Sequence, residues 1–130
     1  MTIKLYTLAN KFIKETDKFP ENFTGIMKFQ IGQKQWFLHG KIHRIDGPAI
    51  EHANGTKEWI VNHERHRLDG PAIEWISGTK EWCVNHKRHR LGGPAYECPN
   101  GNKEYWIDDK QVTELEHNLL CDIMKLKGLI

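Results

Sequence analysis

The 130-residue chain has no Cys-x-x-Cys pair, no Gly-rich phosphate loop, no nucleophile motif and no apolar run near the roughly 18 residues of a membrane-spanning helix. Redox-motif, nucleotide-cleaving and transmembrane readings go with them. Three cysteines, Cys83, Cys98 and Cys121, form an odd set with no disulfide framework. The N-terminus lacks the uninterrupted apolar segment of a secretory signal, so reduced thiols in a cytoplasmic protein are expected. Charge of one sign is also scarce: 19 Lys and Arg against 17 Asp and Glu leave +2. That balance excludes a domain-wide positive field of the kind that drives non-specific nucleic-acid binding. A mean hydropathy of -0.66 with 38% hydrophobic residues describes a polar but foldable chain, one domain over 1–130.

What is present is a repeat. HRIDGPAIEHANGTKEW, from His43 to Trp59, is followed by HRLDGPAIEWISGTKEW (His66 to Trp82) and HRLGGPAYECPNGNKEY (His89 to Tyr105). Trp36, Trp59, Trp82 and Tyr105 advance in steps of 23, as do Gly32, Gly55, Gly78 and Gly101. A period of that size means one supersecondary unit per repeat, stacked because no unit buries its apolar face alone. Each unit splits into two short strands. One is rich in β-branched and aromatic residues, as in Thr56 to Val61, and ends at turn chemistry such as Asn62-His63. The other starts after the Gly-Pro step, where proline offers no amide to a ladder.

The expected fold is mostly β: a single-layer antiparallel sheet of stacked 23-residue hairpins over 23–112, with a helical cap at each end. Gly25 to Gly32 alternates and reads as the opening strand. In 1–22, Leu5, Leu8, Phe12 and Ile13 recur at intervals of three and four, which predicts an amphipathic helix over 4–19 ending before Pro20. In 113–130, Thr113 and Glu116 form a capping box after Val112. Leu115, Leu119, Leu120, Ile123, Met124 and Leu126 follow at helical spacing, and Gly128 terminates the helix. Helices at both ends would cover the open edges of the sheet.

Alternation along the first strand of each repeat puts Trp36, Trp59, Trp82 and Tyr105 on one face. This aromatic ladder is the expected core. Phe37, Ile60, Cys83 and Trp106 occupy the other face, which is therefore not plainly polar.

The period, the aromatic after a turn glycine and hairpins such as Trp59 to His66 resemble the MORN repeat (membrane occupation and recognition nexus) over about residues 25–112. The HRxDGPA form is similar to a variant group from bacterial, phage and large-virus proteins. It departs from the family in having Lys-Glu-Trp for Tyr-x-Gly-x-Trp and Arg44, Arg67 and Arg90 where a glycine follows the histidine. The resemblance implies an elongated hairpin array used for protein contacts and sometimes linked to phospholipid. It implies no catalysis.

Seven of eight histidines lie between His39 and His89. Equivalent residues two strand spacings apart stand roughly 9 to 10 Å from one another, too far to share a zinc ion with bonds of about 2 Å. Structural histidines, no metal and no cofactor are expected. Arg44, Arg67 and Arg90 pair on one reading with Asp46, Asp69 or the series Glu51, Glu74 and Glu97. On another they form a cationic row with Lys41, Arg65, Lys87 and Arg88 that meets phosphates. The third copy carries Gly92 for Asp and Tyr96 for Ile, which marks it as the place where scaffold gives way to function.

A constellation repeated three times points to scaffold rather than to an active site, so no enzyme is expected. The reading is a protein-binding module, in biology a phage or mobile-element protein that inhibits a host factor. Its candidate binding residues are Arg44, Arg67, Arg90, His66, His89, Tyr96 and Trp106. The alternative partner is an anionic ligand, nucleic acid or phospholipid, and a homo-oligomer is a further arrangement the sequence permits.

Overall fold

The protein, seen in a computed structural model that describes residues 2–130, is an open, mainly antiparallel β array with one C-terminal helix. The N-terminal segment is a β-hairpin, not the expected helix. β1 (Ile3–Tyr6) pairs on one side with β2 (Phe12–Thr16) and on the other with β3 (Gly25–Phe29). Ile3 and Leu5 alternate into the core with Met27 and Phe37, whereas Leu8, Phe12 and Ile13 remain exposed. The helical spacing of those side chains therefore marks no buried stripe. A strand here satisfies the free amides and carbonyls along β3, which a helix cannot do.

β3 leads into β4 (Lys34–Leu38), and β4 pairs with the short β5 (Lys41–Ile42) and with β6 (Ile50–Glu51). The next repeat supplies β7 (Lys57–Glu58), the hairpin β8 (Ile60–Val61) with β9 (Glu64–Arg65), and β10 (Ile73–Glu74). Its successor supplies β11 (Lys80–Glu81), the hairpin β12 (Cys83–Val84) with β13 (Lys87–Arg88), and β14 (Tyr96–Glu97). β15 (Lys103–Ile107) and β16 (Lys110–Val112) close the array.

At each tryptophan the chain changes partner. The Trp59 amide donates to the Ala72 carbonyl at 2.7 Å, while its own carbonyl accepts from the His66 amide at 3.1 Å. Residues before it belong to the long sheet and residues after it to a projecting hairpin. Both central residues of those hairpin turns have positive φ, 50° and 68° for Asn62 and His63 and 49° and 66° for Asn85 and His86, as type I′ turns require. Each turn is bonded to the preceding hairpin: His63 N–H to Ile42 O at 2.9 Å and His86 N–H to Arg65 O at 2.8 Å.

The buried floor is the face opposite the aromatic ladder. Phe37, Ile60 and Cys83 are buried with Ala49, Ala72, Ala95, Ile50 and Ile73, whereas Trp36, Trp59, Trp82 and Tyr105 are only half-buried. The expected core ladder is thus a partly open surface.

α1 (Glu114–Leu126) forms as expected, with Thr113 as N-cap accepting from the Glu116 amide at 3.1 Å and Gly128 at φ 69° just past its end. Its buried residues are His117 and Cys121 rather than its leucines. Among the described residues no helix is long and apolar enough to cross a membrane.

Candidate functional site

The HRxDGP segments form three successive loops on the ladder side of the array. Within each, the arginine lies over the tryptophan of its own ladder step: Arg44 on Trp36, Arg67 on Trp59 and Arg90 on Trp82, at 4.2, 4.0 and 3.8 Å from guanidinium carbon to ring centre. Such stacking suits a planar, weakly hydrated cation. Each guanidinium also donates to the carbonyl of the proline four residues on, at 3.1 Å to Pro48, 3.1 Å to Pro71 and 3.0 Å to Pro94. Arg44 and Arg67 add Asp46 and Asp69 at 2.9 and 3.1 Å. The Arg44 hydrogen bond and charge hold the Asp46 carboxyl below its usual range. In the third copy, where Gly92 stands in place of Asp, Arg90 keeps only the glutamate contact, to Glu97 at 3.4 Å, which is the counterpart of Arg67 to Glu74 at 3.5 Å.

The histidines of this motif join one repeat to the next. Nδ1 of His43, His66 and His89 accepts the amide of Asn62, Asn85 and Asp108 respectively, each at 3.1 Å. The regular spacing of His and Arg is therefore the spacing of the stacking contacts. Three of the arginines in the cationic row are already engaged by ring, carbonyl and carboxylate.

Tyr96 and Trp106 are elsewhere, so the seven candidate binding residues do not form one site. Both lie beside Arg88, whose guanidinium carbon is 5.3 and 5.1 Å from their ring centres. Arg88 in turn bonds Glu81 at 2.6 Å, and Trp106 Nε1 donates to Glu104 at 2.8 Å. A hydrogen bond to Cys98 raises the Tyr96 phenol above its ordinary pKa.

Sequence reasoning missed the glutamate ladder to which this cluster belongs. Glu58 and Glu81 are buried, although lone glutamates seldom are. Glu58 accepts from Arg65 at 2.9 Å and lies 2.6 Å from His52 Nε2; Glu81 accepts from Arg88 and from Trp75 Nε1, the latter at 2.7 Å. The available signal was the 23-residue recurrence of Glu58, Glu81 and Glu104 immediately before the ladder aromatic.

Between successive loops run grooves floored by ladder residues. One holds Trp59 and Val61 between Ile45 and Leu68, with a volume of about 520 Å³. The next holds Trp82 and Val84 between Leu68 and Leu91, about 700 Å³. Loop tips Ile45 and Leu68 are 83% and 79% exposed. Leu91, their equivalent in the third loop, is half-buried, because α1 lies against that loop.

The α1 contact is specific. His117 Nε2 donates to the Arg90 carbonyl at 2.7 Å, and Cys121 Sγ donates to the Leu91 carbonyl at 3.3 Å. The His117 ring packs on Tyr105, the last aromatic of the ladder, with ring centres 5.0 Å apart and planes tilted by 55°. The matching carbonyls of Arg44, Ile45, Arg67 and Leu68 accept no hydrogen bond among the described residues. No protein-family model matches the sequence, and neither a curated protein nor a solved structure matches the chain.

Proposed function

We propose that the chain is a non-enzymatic, MORN-like protein-binding module whose partner docks across the first two HRxDGP loops. One observation carries this reading. In a single array, the third loop has its leucine covered and two carbonyls bonded by α1, while the same groups of the first two loops are uncovered. Apolar tips, grooves floored by tryptophan and valine, and free carbonyls are what a protein surface with apolar side chains and N–H donors complements. The arginines contribute rigidity, since each is fixed in place by its ring and its proline carbonyl before a partner arrives.

Affinity purification from a lysate of the cell that makes the protein tests the proposal, using the folded wild-type chain and an Ile45→Asp/Leu68→Asp double variant. The expected result is a stoichiometric partner recovered by the first and lost by the second. No partner, or one retained equally by both, would overturn it.

A further inference from the structure

α1 presents the wrong face to the array for a simple cap. Its buried residues are His117 and Cys121, while Leu115, Leu119, Ile123 and Leu126 are 68%, 54%, 47% and 88% exposed. At about 100° per residue these four fall within an arc of roughly 80°, about half a turn from His117 and Cys121. An aliphatic stripe along a 13-residue helix is thus directed away from its own protein. Lone surface leucines need no explanation, but a contiguous stripe along one helix does.

The charges around the stripe identify what covers it. Glu114 and Glu116 occupy the first turn, and Lys125 and Lys127 the last turn and the C-cap. A partner helix running antiparallel must therefore be basic opposite the first turn and acidic opposite the last. α1 itself has that distribution. We propose that the stripe is a dimer interface, occupied by α1 of a second copy of this chain lying antiparallel about a two-fold axis.

The register follows from the sequence. Setting Leu115 against Leu126 of the second copy brings Leu119 beside its Ile123 and Glu116 beside its Lys127. Glu116 and Lys127 flank the stripe on the same side, as an antiparallel pairing across a two-fold axis requires. A parallel pairing would instead set glutamate against glutamate and lysine against lysine. The two-fold arrangement is isologous and closes at two copies. One like-charge approach remains, between Asp122 and its own symmetry mate near the axis, and removing that charge strengthens the dimer.

Sedimentation velocity of the full chain from 1 to 500 µM tests the assignment, with circular dichroism confirming that each variant is folded. The wild type is expected to pass from monomer to dimer, Leu119→Asp to weaken the dimer at least about 100-fold, and Asp122→Asn to strengthen it a few-fold. Glu116→Lys and Lys127→Glu each weaken it about 3- to 10-fold alone. Mixed together they recover wild-type affinity, because both contacts between positions 116 and 127 are then between opposite charges. A monomer at all concentrations overturns the proposal, as does a dimer indifferent to Leu119→Asp or a mixture that shows no recovery. So does a monomer whose stripe instead carries it onto phospholipid vesicles or a different protein.

Discussion

Arg67 is clamped against Trp59. Its guanidinium carbon stands 4.0 Å from the ring centre, and the clearance on its other side exists because Gly70 has no side chain. A β-carbon built at Gly70 would lie 2.7 Å from that carbon, and one at Gly47 would lie 2.8 Å from its Arg44 counterpart. The glycine of the HRxDGPA motif is thus a packing requirement of the arginine, and the aspartate and proline supply the polar contacts that fix it.

Gly70→Ala should consequently displace Arg67 and cost about 1 to 3 kcal/mol. Gly92→Ala, with nothing within 4 Å of the added carbon, should change stability by less than about 0.5 kcal/mol. Gly92→Asp should restore the missing carboxylate beside Arg90 and gain at most about 1 kcal/mol. Urea unfolding midpoints of the three variants check the ordering.

The glutamate ladder makes a second claim on stability. Glu81→Ala removes the acceptor of both Arg88 and Trp75 Nε1 from a buried position and should cost about 2 to 4 kcal/mol, less for Glu81→Gln. Exposed Glu64→Ala, by contrast, should fall within about 0.5 kcal/mol of wild type in the same denaturation series.

Much of this was legible in the sequence, and what was not has physical causes. The 23-residue period and the turn residues located the hairpins, and the Thr113 capping box located α1. Leu5, Leu8, Phe12 and Ile13 suggest a helix because their intervals of three and four match its period, yet they are split between two strands and the turn that joins them. The alternation of Ile3 and Leu5 decided for a strand once β3 offered a free edge. The ladder reads as core because alternation puts four large aromatics on one face. Tryptophan can be half-covered by a stacked arginine, while small Ala49, Ala72 and Ala95 fill the true floor, and nothing in local alternation tells the two faces apart. Of the site, the His and Arg positions were legible as a stacking constraint. The contact of α1 with the third loop was not, because it joins residues 27 and 30 apart.

Alkaline titration gives a third prediction. Burial, reinforced by the Glu81 charge, pushes the Cys83 thiol from about 9 up to about 11. A raised thiol pKa contributes stability that is fully present below the unfolded value and is lost as pH rises from about 9 toward 11. Unfolding midpoints should fall more steeply across that window in wild type than in Cys83→Ala. Iodoacetamide should modify Cys83 only after unfolding.

Two equivalent turns separate conformational strain from bonding. His86 occupies a left-handed position, and its side chain makes no hydrogen bond among the described residues, so His86→Gly should gain about 0.5 kcal/mol. His63, at the same position one repeat earlier, accepts the Ile42 amide through Nδ1 at 3.1 Å, and His63→Gly should show no such gain. Thermal midpoints of the pair make the comparison.

Hydrogen–deuterium exchange of the chain alone and bound to its recovered partner shows whether the first two HRxDGP loops are the docking surface. Exchange is expected to slow at the amides of residues 45–47 and 68–70, with the β2 edge unchanged. Protection confined to β2, or absent from both loops, would contradict docking there.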